Sequence, residues 1–95
     1  MNIILSEQAQ KELADAVEYY NVQKENLGYE FKILVDENIN LIERSPLLYP
    51  VVDEPLRRKI LSRFSYSIFF FIDEIENLIL IISISHQNRK PFYKI

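Results

Sequence analysis

Between Pro46 and Pro55 the hydrophobic pattern of this chain changes its period. Before that stretch Ala9, Leu13, Ala16, Val17 and Tyr20 recur at helical spacing, and so do Phe31, Leu34, Val35, Leu41 and Ile42. After it, "RRKILSRF", "YSIFFFID" and "LILIISIS" are rich in the Ile, Phe and Tyr that suit strands. Helices first and strands last predict an α+β domain, with the helices packed on one face of a small sheet. Ninety-five residues make a single domain, residues 1–95, able to bury roughly two thirds of its unfolded surface without staples.

Local signals fill in the order. "NIIL" reads as a short strand, and Ser6 is an N-cap whose hydroxyl accepts from an orphan amide of a helix beginning at Glu7. "KENLGYE" breaks that helix, with Gly28, the single glycine, supplying the backbone angles of a tight connection. A second helix follows and stops near Ser45, because Pro46 disfavours helical geometry before it; Pro50 and Pro55 keep the next segment extended. "EIEN" is a polar turn between the last two strands. The expected fold is β-α-α-β-β-β: an N-terminal strand, an antiparallel helix hairpin, and three C-terminal antiparallel strands.

Composition removes several function classes. With no cysteine and one histidine, His86, a protein-built metal site lacks its usual ligands, and one glycine forbids a Gly-rich phosphate loop. No cofactor and no metal are expected. The absence of cysteine, of a basic leader and of an uninterrupted apolar run predicts a cytoplasmic chain with no membrane span. The net charge of −3 hides a segregation: eleven acidic and four basic residues lie up to Pro55, three acidic and seven basic after it. Any nucleic-acid contact is therefore local and lies in the second half.

Strand parity assigns faces. Leu78, Leu80, Ile82 and Ile84, with Tyr66, Ile68, Phe70 and Ile72, are expected to meet the helices. Phe69, Phe71, Ile79 and Ile81 are left on the reverse side as an apolar patch on the order of a few hundred Å², the size monomers cover or use. Either a partner covers it, or the tail from Pro91 to Ile95 folds back with Phe92 and Tyr93. If "RRKILSRF" stays regular, Arg57, Lys59 and Arg63 share one face, as a solvated edge or as a site. His86 has the parity of Ile84 and should turn to the helix side as a structural imidazole, unless a bulge at Ser85 reverses it.

The remaining chemistry is cationic and aromatic. RNA can be cleaved without metal when its 2'-hydroxyl attacks the adjacent phosphate, and Arg57, Lys59, Arg63, Arg89, Tyr93 and His86 are the groups able to stabilise charge or move protons. Arginine and tyrosine equally make protein–protein anchors.

Over nearly its whole length the chain resembles the RelE/ParE superfamily of type II toxin-antitoxin toxins. "AQKELADAVEYY" is similar to the opening helix of that family, and "LGYEFKILVDENINLIERSPLLYP" to its second helix and the Pro-containing segment after it. "RRKILSRFSYSIFFFID" resembles the family's Arg, Phe-Pro-Tyr and apolar strand, and "ISISHQNRKPFY" its strand ending in His-x-x-Arg-x-Pro with an aromatic behind. Arg57, Arg63, Phe64, Tyr66, His86, Arg89, Pro91 and Tyr93 match motif positions, whereas Ser65 stands where proline is usual.

The resemblance implies this toxin fold and a cognate antitoxin that wraps the helices and sheet, here covering Phe69, Phe71, Ile79 and Ile81. "YY", "LGYEF" and the His-x-x-Arg-x-Pro tail resemble the ParE-like branch, whose members poison DNA gyrase by protein contact and are not enzymes. The residues expected to bind the target are Arg57, Arg63, Arg89 and Tyr93. RelE-like members instead cut mRNA on the ribosome, and the six residues above would then be catalytic. A third reading is a binding module that keeps the antitoxin contact but has lost toxicity.

Overall fold

A computed structural model describes residues 1–88 of the chain. Strand β1 (Asn2–Leu5) leads into helix α1 (Glu7–Gln23) and helix α2 (Leu27–Arg44). A 3₁₀ turn over Pro46–Leu48 precedes β2 (Val51–Asp53), β3 (Leu56–Ile60), β4 (Tyr66–Asp73) and β5 (Leu78–His86). The five strands form one sheet in the order β1-β5-β4-β3-β2, with β1 parallel to β5 and every other pair antiparallel. The expected β-α-α-β-β-β order holds. Two details differ: the proline-rich segment contains the 3₁₀ turn, and it also contributes the short edge strand β2.

Ser6 caps α1 as its chemistry requires, its Oγ accepting from the Ala9 amide at 3.0 Å. The break between the helices is made differently from the expectation. The left-handed residue is Asn26, at φ 67°, while Gly28 lies inside α2. Gly28 is needed instead for close approach: a Cβ there would stand 2.0 Å from the Val17 carbonyl oxygen of α1. Its amide donates to Asn21 Oδ1 at 2.7 Å, so the crossing is hydrogen-bonded as well as tight.

The core lies between the helix pair and the sheet. Ala9 and Ala16 of α1, with Phe31, Val35 and Ile42 of α2, meet Leu61, Ile68, Phe70, Ile79, Ile81 and Ile84. This corrects the parity assignment for β5. Phe69 pairs with Ser83 but its neighbour Phe70 pairs with Ile81, so Ile82 is an extra, bulged residue. The bulge reverses parity within the strand. Ile79 and Ile81 face the helices and are 0% exposed, while Ile84, beyond the bulge, faces them too.

Consequently Phe69, Phe71, Ile79 and Ile81 do not form one exposed patch. Two of them are core, Phe69 is 7% exposed, and Phe71 is half-buried. The apolar row left on the reverse side runs through Ile4, Leu80 and Phe71, which are register partners across β1, β5 and β4. The assignment for β4 holds: Ile68 and Phe70 are fully buried, with Tyr66 and Ile72 packed against the same core.

Candidate functional site

The basic residues of β3 divide by parity. Arg57 and Lys59 lie opposite Phe70 and Ile68, on the helix side of the sheet, whereas Arg58 lies opposite Phe69 on the reverse side. Tyr49, at the end of the 3₁₀ turn, engages both helix-side cations. Arg57 Nη1 donates to the Tyr49 carbonyl at 2.7 Å, and Lys59 Nζ stands 5.3 Å from the centre of the Tyr49 ring. Tyr49 is in turn edge-on to Phe70 at 6.3 Å. On the other side, Arg58 Nε is buried without a hydrogen-bond partner among the described residues.

Arg63 does not continue that row, because β3 ends at Ile60. Leu61 is buried and donates its amide to the Tyr66 carbonyl at 2.9 Å, closing a turn in which Phe64 and Ser65 have φ of 70° and 55°. The Arg63 guanidinium rests 4.7 Å from the Phe64 ring centre, with Nη1 3.5 Å from Glu30 Oε1. Proline, whose ring locks φ near −65°, cannot occupy position 65 in this turn. The serine at the usual proline position therefore goes with a different turn.

Behind Phe64 the aromatic side chains form a continuous cluster. Tyr20 stands 4.8 Å from Phe64 and Phe31 stands 4.8 Å from Tyr66, centre to centre. Tyr66 meets the His86 ring edge-on at 5.2 Å. Burial, reinforced by the neighbouring Tyr20, pushes the Tyr66 phenol up to about 12. It is a neutral hydroxyl at physiological pH.

His86 sits on the helix side, as its parity predicts, since the bulge precedes Ile84 rather than falling at Ser85. Its Nδ1 accepts from the Asn88 amide at 3.0 Å. That bond requires an unprotonated Nδ1, so a neutral ring carries its proton on Nε2. The imidazole thus orders the chain leaving β5, and its base nitrogen is already engaged.

One group was missed by the sequence reading. Glu12 of α1 faces the end of β5, where its Oε1 accepts from Ser83 Oγ at 2.8 Å and from the Ile84 amide at 3.0 Å. Its Oε2 accepts from Ser85 Oγ at 3.4 Å, and the two serine hydroxyls also touch each other. The available signal was an acid within the apolar stripe of an amphipathic helix, three residues after Ala9 and four before Ala16. Glu12 and Asp15 form one wall of a cleft of about 430 Å³ that also involves Tyr19, Tyr66, Ser85 and His86.

The structure therefore gathers Arg63, Phe64, Tyr66 and His86 near one end of the sheet, where β4 begins and β5 ends. Arg57 lies apart from them: its partner Phe70 is four residues along β4 from Tyr66, about 13 Å at strand rise. Arg89, Pro91 and Tyr93 lie outside the described residues, as does the tail expected to cover the reverse side. Among the described residues no cluster of three His, Asp or Glu side chains could hold a metal, and no helix is long and apolar enough to cross a membrane.

The fold matches known proteins. A chain of the chromosomal ParDE toxin-antitoxin system from P. aeruginosa superposes with a TM-score of 0.80 at 17% identity, covering 90% of this chain and 95% of that one. A chain of the intact E. coli RelBE toxin-antitoxin complex superposes with a TM-score of 0.71 at 15% identity, covering 93% and 98%. A search of curated protein sequences finds no match. The family model for the ParE toxin of the parDE type II toxin-antitoxin system matches residues 3–91, so that the chain belongs to the ParE toxin family.

Proposed function

We propose that this toxin arrests growth by binding DNA gyrase, that the end of β5 at His86 belongs to the binding surface, and that a cognate antitoxin neutralises it. The observation that carries this reading is how the described cations are used. Arg57 and Lys59 are engaged by Tyr49, Arg63 leans on Phe64 beside Glu30, and two carboxylates wall the cleft beside His86. A phosphodiester entering that cleft would meet Glu12 and Asp15, whereas RNA affinity depends on clustered phosphate contacts. A half-buried Arg57 held by a backbone carbonyl and an exposed Arg63 resting on a ring suit a protein partner, for which Arg and Tyr anchors supply most of the energy. An antitoxin partner is supported by the structural neighbours, both of which come from toxin-antitoxin systems.

The test is induced expression without antitoxin, following incorporation of labelled thymidine and labelled methionine over the first minutes. Thymidine incorporation should fail first, and purified toxin should trap gyrase on cleaved DNA, with Arg57→Ala weakening the effect. Methionine failing first, with cuts in ribosome-bound mRNA, would overturn the proposal in favour of an endoribonuclease. Harmless expression would make the chain an antitoxin-binding module.

A further inference from the structure

We infer that Glu12 is a positioning residue, the joint by which α1 sets the register of β5 and thereby holds His86 at the binding surface. The inference rests on the reading that the end of β5 takes part in toxicity. The geometry begins where β1 stops. Leu5 pairs with Ile81, and beyond that point β5 has no neighbouring strand on its β1 side among the described residues. The bulge at Ile82 falls at this same point.

In place of a sixth strand, α1 offers side chains. The Ser6 amide donates to the Ile81 carbonyl at 2.8 Å, and Ser6 Oγ donates to the Ile82 carbonyl at 3.2 Å. Glu12 then takes the Ile84 amide and the hydroxyls of Ser83 and Ser85, which are 2% and 6% exposed. A buried donor without an acceptor is costly, so one carboxylate satisfies three groups that water scarcely reaches.

The consequence is a choice of register. Leu78, Leu80, Ile82 and Ile84 form an unbroken apolar set, so an unbulged β5 would also present a good face to the helices. In that register Ile79 and Ile81 leave the core, or else Ile84 and His86 turn to the reverse side. Glu12 selects the bulged form by binding the three residues that follow the bulge, and His86 is the next residue along. Its ring then meets Tyr66.

The test compares Glu12→Ala, Glu12→Gln and Ser85→Ala in the full chain. Hydrogen exchange of the Ile84 amide and the ring signals of His86 are read by NMR, beside growth inhibition at matched soluble toxin levels. In Glu12→Ala, Ile84 exchange should rise at least tenfold relative to the Val35 amide, the His86 ring signals should shift, and growth inhibition should be lost. Glu12→Gln keeps an oxygen for the Ile84 amide and should restore most of both readouts. Ser85→Ala removes one donor only, and should give a smaller change in the same direction where Glu12→Ala does not fold.

Unchanged Ile84 exchange and unchanged His86 signals in a folded Glu12→Ala chain would overturn the register claim. Altered signals with full toxicity would overturn the positioning role and leave gyrase binding standing. Failure of the gyrase reading shows separately, in the unsubstituted toxin, as continued thymidine incorporation.

Discussion

Gly28 of α2 lies against the Val17 carbonyl of α1 with no room for a methyl group between them, a built Cβ standing 2.0 Å from that oxygen. The contact is to backbone, so no side-chain rotation relieves it. Alanine in a helix interior is intrinsically favoured over glycine by about 1 kcal/mol. Overpacking costs about 1–3 kcal/mol and occasionally more, and separating the helices also lengthens the Gly28 amide bond to Asn21. Gly28→Ala should therefore lose about 2 kcal/mol net and about 10 °C in Tm for a domain of this size. A thermal melt at or above the wild-type Tm would show that the helices do not cross this closely.

Two isoleucines of the β4–β5 hairpin have opposite surroundings. Ile81 is 0% exposed and packs in the core, whereas Ile75, in the turn before β5, is 94% exposed. Ile81→Ala should cost about 2–5 kcal/mol through lost burial and a residual cavity. Ile75→Ala should stay within about 0.5 kcal/mol. Urea unfolding distinguishes this from the unbulged register, in which Ile81→Ala would be mild and Leu80→Ala severe.

What was legible in the sequence was whatever local chemistry decides alone. Ser6 caps its helix, Pro46 ends the next, and the period change before β3 separates helix from sheet, because each depends on neighbours in the chain. Faces were legible only while parity ran unbroken, as in β4. The β5 bulge depends on a carboxylate 72 residues away in the chain, which no strand pattern can reveal. The role of Gly28 was misread for a similar reason: a glycine is needed equally by a turn and by a helix crossing, and only the partner helix tells them apart. Arg57 and Arg63 share a parity in the sequence, but β3 ends at Ile60 and Arg63 lies in the turn that follows, where parity no longer assigns a face.

Tyr66 links the aromatic cluster to alkaline stability. Its phenol is raised to about 12 by burial and by Tyr20, whereas an unfolded tyrosine ionises near 10. Below pH 10 both states hold the proton, and the group leaves stability independent of pH. Between about pH 10 and 12 the unfolded chain has released a proton that the folded chain retains, so stability falls as pH rises. Urea midpoints should drop between pH 9 and pH 11, and the drop should be smaller in Tyr66→Phe. Tyr20, also raised by burial, accounts for part of what remains. An equal drop in both proteins would place the titration elsewhere.

The turn between β3 and β4 departs from the Phe-Pro-Tyr sequence usual in the superfamily, and its backbone explains why serine is accommodated. Ser65 has a φ of 55° and its carbonyl accepts from the Gln87 amide at 2.7 Å, tying the turn to the end of β5. Proline at φ near −65° would have to rebuild the turn and release that bond. Ser65→Pro should thus destabilise by more than about 1 kcal/mol, the gain that proline brings at a compatible site being forfeited along with the native geometry. Ser65→Gly suits the left-handed angle and should remain within about 1 kcal/mol of the parent, since relief of strain offsets the greater entropy of the unfolded glycine. Equilibrium unfolding of both variants checks the pair. If Ser65→Pro proves as stable as the parent, the turn adopts the geometry usual in the superfamily and the left-handed angles at Phe64 and Ser65 are not those of this chain.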